Sequence, residues 1–521
     1  MGERPMSNKP SSGDSWKLAE PHASEAQGIV VSGFAHLPVS QTLMLAFEWE
    51  KGTRGGAWLK ALEKVAPVTP ADGKQDPSVA LGITAMGLRK MGLPDEILSE
   101  FSPPFLEGMF QVDRMRRLND RVGTNWSECV IDGGPLWSAN TPPEKIDDGQ
   151  NLLSSLPGRD PTAIQTAITV DAILLLHCKD AAEATSWGER VAQALAASGV
   201  KVVRDKQTSL GFDENGMVRE HFGFVDGLSQ PTPWDSDAVV DGGPAPDRVN
   251  GVALGDVLMG HVDGHHETTK GPLVSKDGSL PINPDDPDNL DLARNSTYMV
   301  VRELRQDVAG LWNDAAKVAA GMGSDPETGK PRRSEYVAER IIGRSMDGDV
   351  LRPHGVAPRT DPKVPDNEFT YFDEDRHGLG CPLGSHMRRG NPRDGLATKP
   401  SQKRSLLQSS NRHRIIRRAR KFGPYIQDRT VDDGVERGLM FCVVNADIER
   451  QFEFVQQIWM MSPSFSTLFD ETDPLLGPGT SQTYGAQPVR RRVEIGNHVK
   501  LAGGDYFFLP SLPAIEWLSG L

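Results

Sequence analysis

Apolar residues come in short runs that alternate with segments of helical spacing. The run 171–177 (DAILLLH) is apolar almost throughout, as in a strand buried on both faces. Residues 185–197 follow with Trp187, Val191, Ala192 and Leu195 at helical intervals, and 200–203 returns as a strand. Earlier in the chain, 28–34 (GIVVSGF) reads as a strand, Leu37-Pro38 as a turn and 43–48 as an amphipathic helix. The rhythm then restarts. Residues 296–304 predict a strand, 308–320 a helix, 438–444 (GLMFCVV) a strand, 448–460 a helix and 506–509 a closing strand. Between the two sets, 234–295 is rich in Gly, Pro and Asp, the composition of a loop region. This order predicts an α+β fold of two similar sandwiches, each a sheet covered by helices. The expected partition is a disordered tail over 1–27, a first domain over 28–235, a loop-rich connector over 236–292 and a second domain over 293–521.

Charge narrows the function classes. Of 521 residues, 57 are Lys or Arg and 71 are Asp or Glu, a net charge of −14. Such a surface repels phosphate backbones unless its basic residues are gathered, and the gathering at 403–421 has no aromatic platform for bases. No nucleic-acid partner is expected. No run approaches the ~18 apolar residues of a membrane span, so no membrane partner is expected either. The 4 cysteines, Cys129, Cys178, Cys381 and Cys442, lie far apart without a CxxC pair, which argues against a disulfide framework or a thiolate zinc site. The amino terminus lacks an apolar core and a twin-arginine pair, which predicts a cytoplasmic protein. Phosphate loops, GxSxG elbows and HExxH are absent. The histidines of HVDGHH, His261, His265 and His266, sit in a Gly-rich polar stretch and read as a solvated loop before a metal site.

Three clusters carry chemistry. In 223–227 (GFVDG), Asp226 lies between apolar residues and a turn-forming Gly, a position that suits a turn cap or a functional acid about equally. In 381–394 (CPLGSHMRRGNPRD), His386 stands among small residues that let a flat group approach, followed by Arg388, Arg389 and Arg393. A haem offers an iron to such an imidazole and two propionates to such arginines, although an exposed basic loop is the commoner use of the pattern. In 412–423 (RHRIIRRARKFG), Ile415 and Ile416 interrupt the charges as a buried strand would.

In this order the clusters resemble the dye-decolorizing peroxidase family of haem enzymes. GFVDG matches its GxxDG motif, 381–394 its proximal-histidine segment and 414–423 its distal-arginine segment, and the likeness extends from about Gly28 to Leu512. The resemblance implies two ferredoxin-like α+β sandwich domains, of the dimeric α+β barrel-like superfamily, and one haem b per chain, held mainly by the second half. It implies His386 as the iron ligand, Asp226 as the distal acid–base group, Arg417 as the distal arginine and Arg393 as a propionate partner. Leu439 and Phe441, two apart on a strand, would face the distal pocket, and Asp473 would bond the other nitrogen of the His386 imidazole. Where relatives commonly show Gly, Pro and Tyr, this chain has Ala419, Lys421 and Phe422, which leaves Arg417 and Arg418 as two registers. Arg417 is preferred by its distance from Gly423. The implied reaction reduces hydrogen peroxide to water through a ferryl state while a small-molecule reductant, a dye or phenol, is oxidised. The rival reading is a haem-binding protein for storage, sensing or iron release, which needs His386 but neither Asp226 nor Arg417. An oligomer is compatible with either.

Overall fold

The computed structural model describes residues 18–521 except 50–54, 74–75, 140–165, 215, 235–246, 248, 276–277, 279, 325–328, 362–365 and 485–490. One large sheet organises it, from β1 (Val39–Phe47), β2 (Ser78–Ile83), β3 (Ala172–Cys178), β4 (Val200–Ser209), β5 (Thr297–Gln306), β6 (Ile416–Arg417), β7 (Arg420–Phe422), β8 (Gly438–Asn445) and β9 (Val499–Leu509). Its strand order is β5-β9-β2-β3-β1-β4-β7-β8-β6, and β5 also pairs with β8. The sheet therefore closes into a barrel.

The ring is made of two equivalent halves. The order β4-β1-β3-β2 in the first recurs as β9-β5-β8-β7 in the second, and every pairing within a half is antiparallel. This is the ferredoxin-like arrangement twice over. In the sheet, among the described residues, one ladder pair closes each seam between the halves, Ile83 with Phe508 and Lys421 with Ser209.

Alternation along the strands divides the core. Leu43, Leu45, Leu174 and Leu176 point outward and pack with Trp187, Val191 and Leu195 of helix α1 (Ala181–Ala196). Met44, Ile173, Leu175, Met299, Val301, Met440, Cys442 and Phe507 point inward and fill the barrel. In the second half, α2 (Val308–Met322) plays the covering role, its first turn capped by the Asp307 side chain, which accepts from the Gly310 amide at 2.8 Å.

This two-sided burial corrects two sequence expectations. Residues 43–47 belong to β1, not to a helix, because burial of both faces erases the polar–apolar alternation that identifies a strand. Residues 28–30 form a 3-10 turn, not a strand, and Ile29, Phe34 and Leu37 plug the barrel interior. Part of the expected tail is also placed. Residues His22–Glu25 are helical, and Gln27 is buried with its amide donating to the carbonyls of Leu81 and Pro510 at 2.9 and 2.8 Å. Residues 1–17 lie outside the described residues.

The connector, where described, holds short strand pairs, Thr232–Trp234 with Gly251–Ala253 and Leu273–Ser275 with Asn289–Asp291. His261 in it is buried, not solvated as expected, with Nε2 2.6 Å from Asn295 Oδ1. Among the described residues no His, Cys, Asp and Glu group has metal-binding geometry, and no helix is long and apolar enough to cross a membrane. The helix expected over 448–460 is present in widened π form, as Glu449–Glu453 and Val455–Met460.

Candidate active site

His386 opens the short helix α3 (His386–Gly390), packed against the Val455–Met460 helix. Its Nδ1 lies 3.1 and 3.2 Å from the two carboxylate oxygens of Asp473, which is fully buried. Asp473 Oδ1 also accepts from the amides of Leu475 and Leu476, at 2.9 and 2.8 Å. Burial alone would raise this carboxyl, but the charges of His386 and Arg389 and the amide bonds hold it below its ordinary value. An anionic acceptor therefore fixes the imidazole through Nδ1, which turns Nε2 into the donor available to a ligand.

The three arginines after His386 divide unexpectedly. Arg388 donates to the carbonyls of Asp375, Cys381 and Arg376 and lies 4.2 Å above the Tyr371 ring. Arg389 donates to the carbonyls of Gly384, Trp459, Met460, Ser462 and Glu471, at 2.6 to 3.3 Å. It thereby gathers the open carbonyls at the end of the widened helix beneath His386. Both arginines are structural struts and are not free for a ligand carboxylate. Arg389→Ala should cost about 3 kcal/mol or more, since an unpaired buried polar group costs ~1–3 kcal/mol. Urea unfolding of the variant beside wild type checks this.

Arg393 is different. It is buried, adopts a left-handed φ of 51° rare for a side chain of its size, and lies 3.8 Å over the Phe369 ring. It donates to Phe369 O at 2.8 Å and to Ser229 Oγ at 3.0 Å. Ser229 lies three residues after Asp226. Arg414 donates to Ser229 O at 2.6 Å and to Asn250 Oδ1 at 3.1 Å, and Arg417 donates to Leu228 O. The three sequence clusters thus meet at Leu228–Ser229.

A fourth guanidinium completes the group. Arg344 donates to Gly348 O at 2.6 Å and Asn367 Oδ1 at 2.9 Å, and its Nε lies 3.0 Å from the sulfur of Met387, next to His386. Among the described residues, the hydrogen-bond partners of Arg344, Arg393, Arg414 and Arg417 are carbonyls, two side-chain amides, a hydroxyl and a thioether, not carboxylates. Burial first, and repulsion from Arg417, push Arg344 down to about 10. Burial with Arg344 nearby does the same to Arg393, and burial with Arg393 and Arg417 lowers Arg414 well below its ordinary value. Buried cations that repel one another call for an anion.

Arg418 points elsewhere. It donates to Ile29 O at 2.6 Å and Val30 O at 2.8 Å, on the plug segment, as strand alternation after Arg417 requires. The main chain of Arg417 is clasped by the Gln230 amide, which accepts from Arg417 N at 3.0 Å and donates to Arg417 O at 3.2 Å.

Asp226 sits on a tight hairpin. Its amide donates to Val218 O at 2.8 Å, and its Oδ1 accepts from Gly227 N at 2.6 Å. The turn at its tip needs the left-handed φ of 99° at Gly223, where a Cβ would meet the Arg429 guanidinium at 2.4 Å. Glu220 staples the turn: its carboxylate accepts from the amides of Phe222 and Phe224 at 2.8 and 2.9 Å and from Gln306 Nε2 at 2.9 Å. Burial, partly offset by these bonds, keeps the Glu220 carboxyl above its ordinary value. On β8, Leu439 and Phe441 are half-buried on the outward face, whereas Met440 and Cys442 face the barrel interior.

Sequence reasoning missed Glu220 and Arg344. Glu220 adjoins the GFVDG motif and could have been found from it, but nothing in the residues around Arg344 signals that it joins this group.

The donor set fits a haem. It provides one imidazole nitrogen with an oriented ring for the iron, and buried guanidiniums that, among the described residues, hydrogen-bond no carboxylate and can take two propionates.

Comparison with known proteins agrees. No family model matches the chain. The multifunctional dye peroxidase DyP2 of Amycolatopsis sp. is 31% identical over 375 residues, covering 67% of this chain and 71% of that protein. The dye-decolorizing peroxidase msp1 of Mycetinis scorodonius is 28% identical over 335 residues, and the match spans 57% of its length. Among solved structures, the DyP-type peroxidase of Anabaena sp. superposes with a TM-score of 0.70 at 21% identity over 99% of this chain and 100% of that one. The DyP2 structure gives 0.65 at 23% identity, over 98% and 99%. With the fold, the histidine–aspartate pair and the arginine cluster in place, the chain belongs to the dye-decolorizing peroxidases, a family of haem-dependent oxidoreductases that act on peroxide.

Proposed function

We propose that this peroxidase binds one haem b per chain, with His386 Nε2 as iron ligand and Asp473 orienting the ring. Arg393, joined by Arg344 and Arg414, holds the propionates, and Leu439 and Phe441 wall the open side. When bound, the haem supplies the iron at which peroxide is reduced. The observation that carries this reading is the convergence of Arg393, Arg414 and Arg417 on Leu228–Ser229, with no carboxylate among their hydrogen-bond partners in the described residues.

The chain's own residues then handle protons and charge. Asp226 takes the proton from one oxygen of hydrogen peroxide and delivers it to the other, which leaves as water. Positioned proton transfer is worth ~10²–10⁴-fold. Arg417 faces negative charge that develops as the O–O bond lengthens, and a fixed cation in a water-poor site needs no reorganisation to do so. Arg418, spent on Ile29 and Val30, is not available for this, which supports Arg417 as the register. A small-molecule reductant then returns the electrons. A phenol is a suitable probe, since a solved dye-decolorizing peroxidase is described as a complex with 2,6-dimethoxyphenol. Four buried free cysteines fit a reducing compartment such as the cytoplasm.

The test is peroxide-dependent oxidation of 2,6-dimethoxyphenol by haem-loaded wild type and Asp226→Asn. The expected result is a loss of about 10²-fold or more in the variant at unchanged haem content, on the scale of lost proton transfer. Equal activity in both would remove Asp226 from the reaction. No oxidation by a fully loaded wild type would favour the storage or sensing reading.

A further inference from the structure

The inner face of the first half-sheet carries a polar belt that the haem reading does not use. Strand pairing sets Ser78 opposite His177, His177 opposite Ser40 and Ser40 opposite Thr208, so the four lie side by side across β2, β3, β1 and β4. Paired residues share a face. That face is the barrel interior, because Ile173 and Leu175, at the same parity as His177, pack against Met299 and Val301 of the opposite half. Thr42, two residues beyond Ser40, is on the same face. All five residues are at most 3% exposed.

The belt is not satisfied by protein. The hydroxyls of Ser40, Thr42 and Ser78 and both ring nitrogens of His177 have no hydrogen-bond partner. Only Thr208 makes a bond, a long one of 3.4 Å to Ser40 O. An unpaired buried polar atom costs ~1–3 kcal/mol, so five at one level of a core would be a heavy burden. The side chains there are also small. Two serines, two threonines and Ala80 occupy interior positions of an eight-stranded barrel, whose bore ordinary side chains just fill. Small side chains therefore stand where hydrogen bonds are missing.

The mouth above the belt is shut. The Phe34 ring lies 4.6 Å from the His177 ring, and Arg420 ties the plug down by donating to the carbonyls of Leu37, Gly33 and Phe34, at 2.7, 3.1 and 3.2 Å. Burial, with Arg420 adding to it, holds His177 well below its ordinary value, so the ring is neutral with one donor and one acceptor nitrogen. Hydroxyls that donate and accept, beside a neutral imidazole and no carboxylate partner, suit water better than an ion.

We propose that the barrel encloses an ordered water cluster of about two to three molecules, each making ~3 hydrogen bonds, that bridges His177 to Ser40, Thr42 and Ser78 beneath the Phe34 plug. The site is separate from the arginine cluster and stands whether or not the haem assignments hold. Two measurements on the full haem-loaded chain test it. A high-resolution crystal structure should show at least two waters within hydrogen-bond distance of these five atoms. Water oxygen-17 relaxation dispersion, which detects long-lived buried waters, should lose amplitude in Ser40→Ala/Thr42→Val/Ser78→Ala relative to wild type. If the triple variant does not fold, Ser78→Ala alone should lose a smaller part of it. Empty density, side chains bonded to one another, or a single non-water molecule in the belt would overturn the proposal. So would a dispersion unchanged in a folded variant.

Discussion

His386→Ala is expected to purify with little or no haem, its Soret absorbance reduced at least tenfold per mole of protein. The expectation follows from the shape of the site. His386 Nδ1 is engaged by Asp473, so Nε2 is the imidazole nitrogen that can reach a metal, and the remaining contacts are guanidiniums that attract propionates without binding iron. Asp473→Asn separates the roles. The imidazole would remain, so haem should be kept, but loss of the buried anion makes His386 a weaker donor and should move the reduction potential to more positive values. Soret absorbance and a spectroelectrochemical titration of the two variants check this. A full Soret band with unchanged ligand-field features in His386→Ala would exclude His386 as the ligand.

Arg417→Leu should slow the first reaction with peroxide by ~10²–10³-fold, the scale on which a single fixed donor facing developing charge acts. Haem content should change little, since Arg344, Arg393 and Arg414 remain for the propionates. Arg418→Leu should behave in the opposite way. Its guanidinium binds Ile29 and Val30 carbonyls, and burial pushes it down to about 9, so its loss should lower stability and leave the peroxide step near wild type. Stopped-flow mixing with peroxide and thermal unfolding distinguish the pair. A slow Arg418→Leu beside a fast Arg417→Leu would shift the register by one residue.

Fold class and site residues were both named through the resemblance, and local patterning alone reached less far. The alternation that sets Leu439 and Phe441 on one face was legible because strand parity fixes it, whereas the pairing of His386 with Asp473, 87 residues apart, came only from the resemblance. Closure of the barrel was legible only through the resemblance. Two seams of one residue pair each leave no periodic trace, and β1, buried on both faces, lost the alternation that would have separated it from a helix. Arg388 and Arg389 looked like ligands because a sequence displays guanidiniums but not the carbonyls of a distant helix end that consume them. Arg344 was invisible for the converse reason. Only folding brings it beside Met387.

The most direct test of the central claim is the visible spectrum of the purified full chain before and after one equivalent of hydrogen peroxide. The account predicts a Soret band corresponding to one haem per chain, shifted by that single equivalent and restored by 2,6-dimethoxyphenol. A colourless protein that does not take up added haem, or a Soret band that one equivalent of peroxide leaves unmoved, would contradict it.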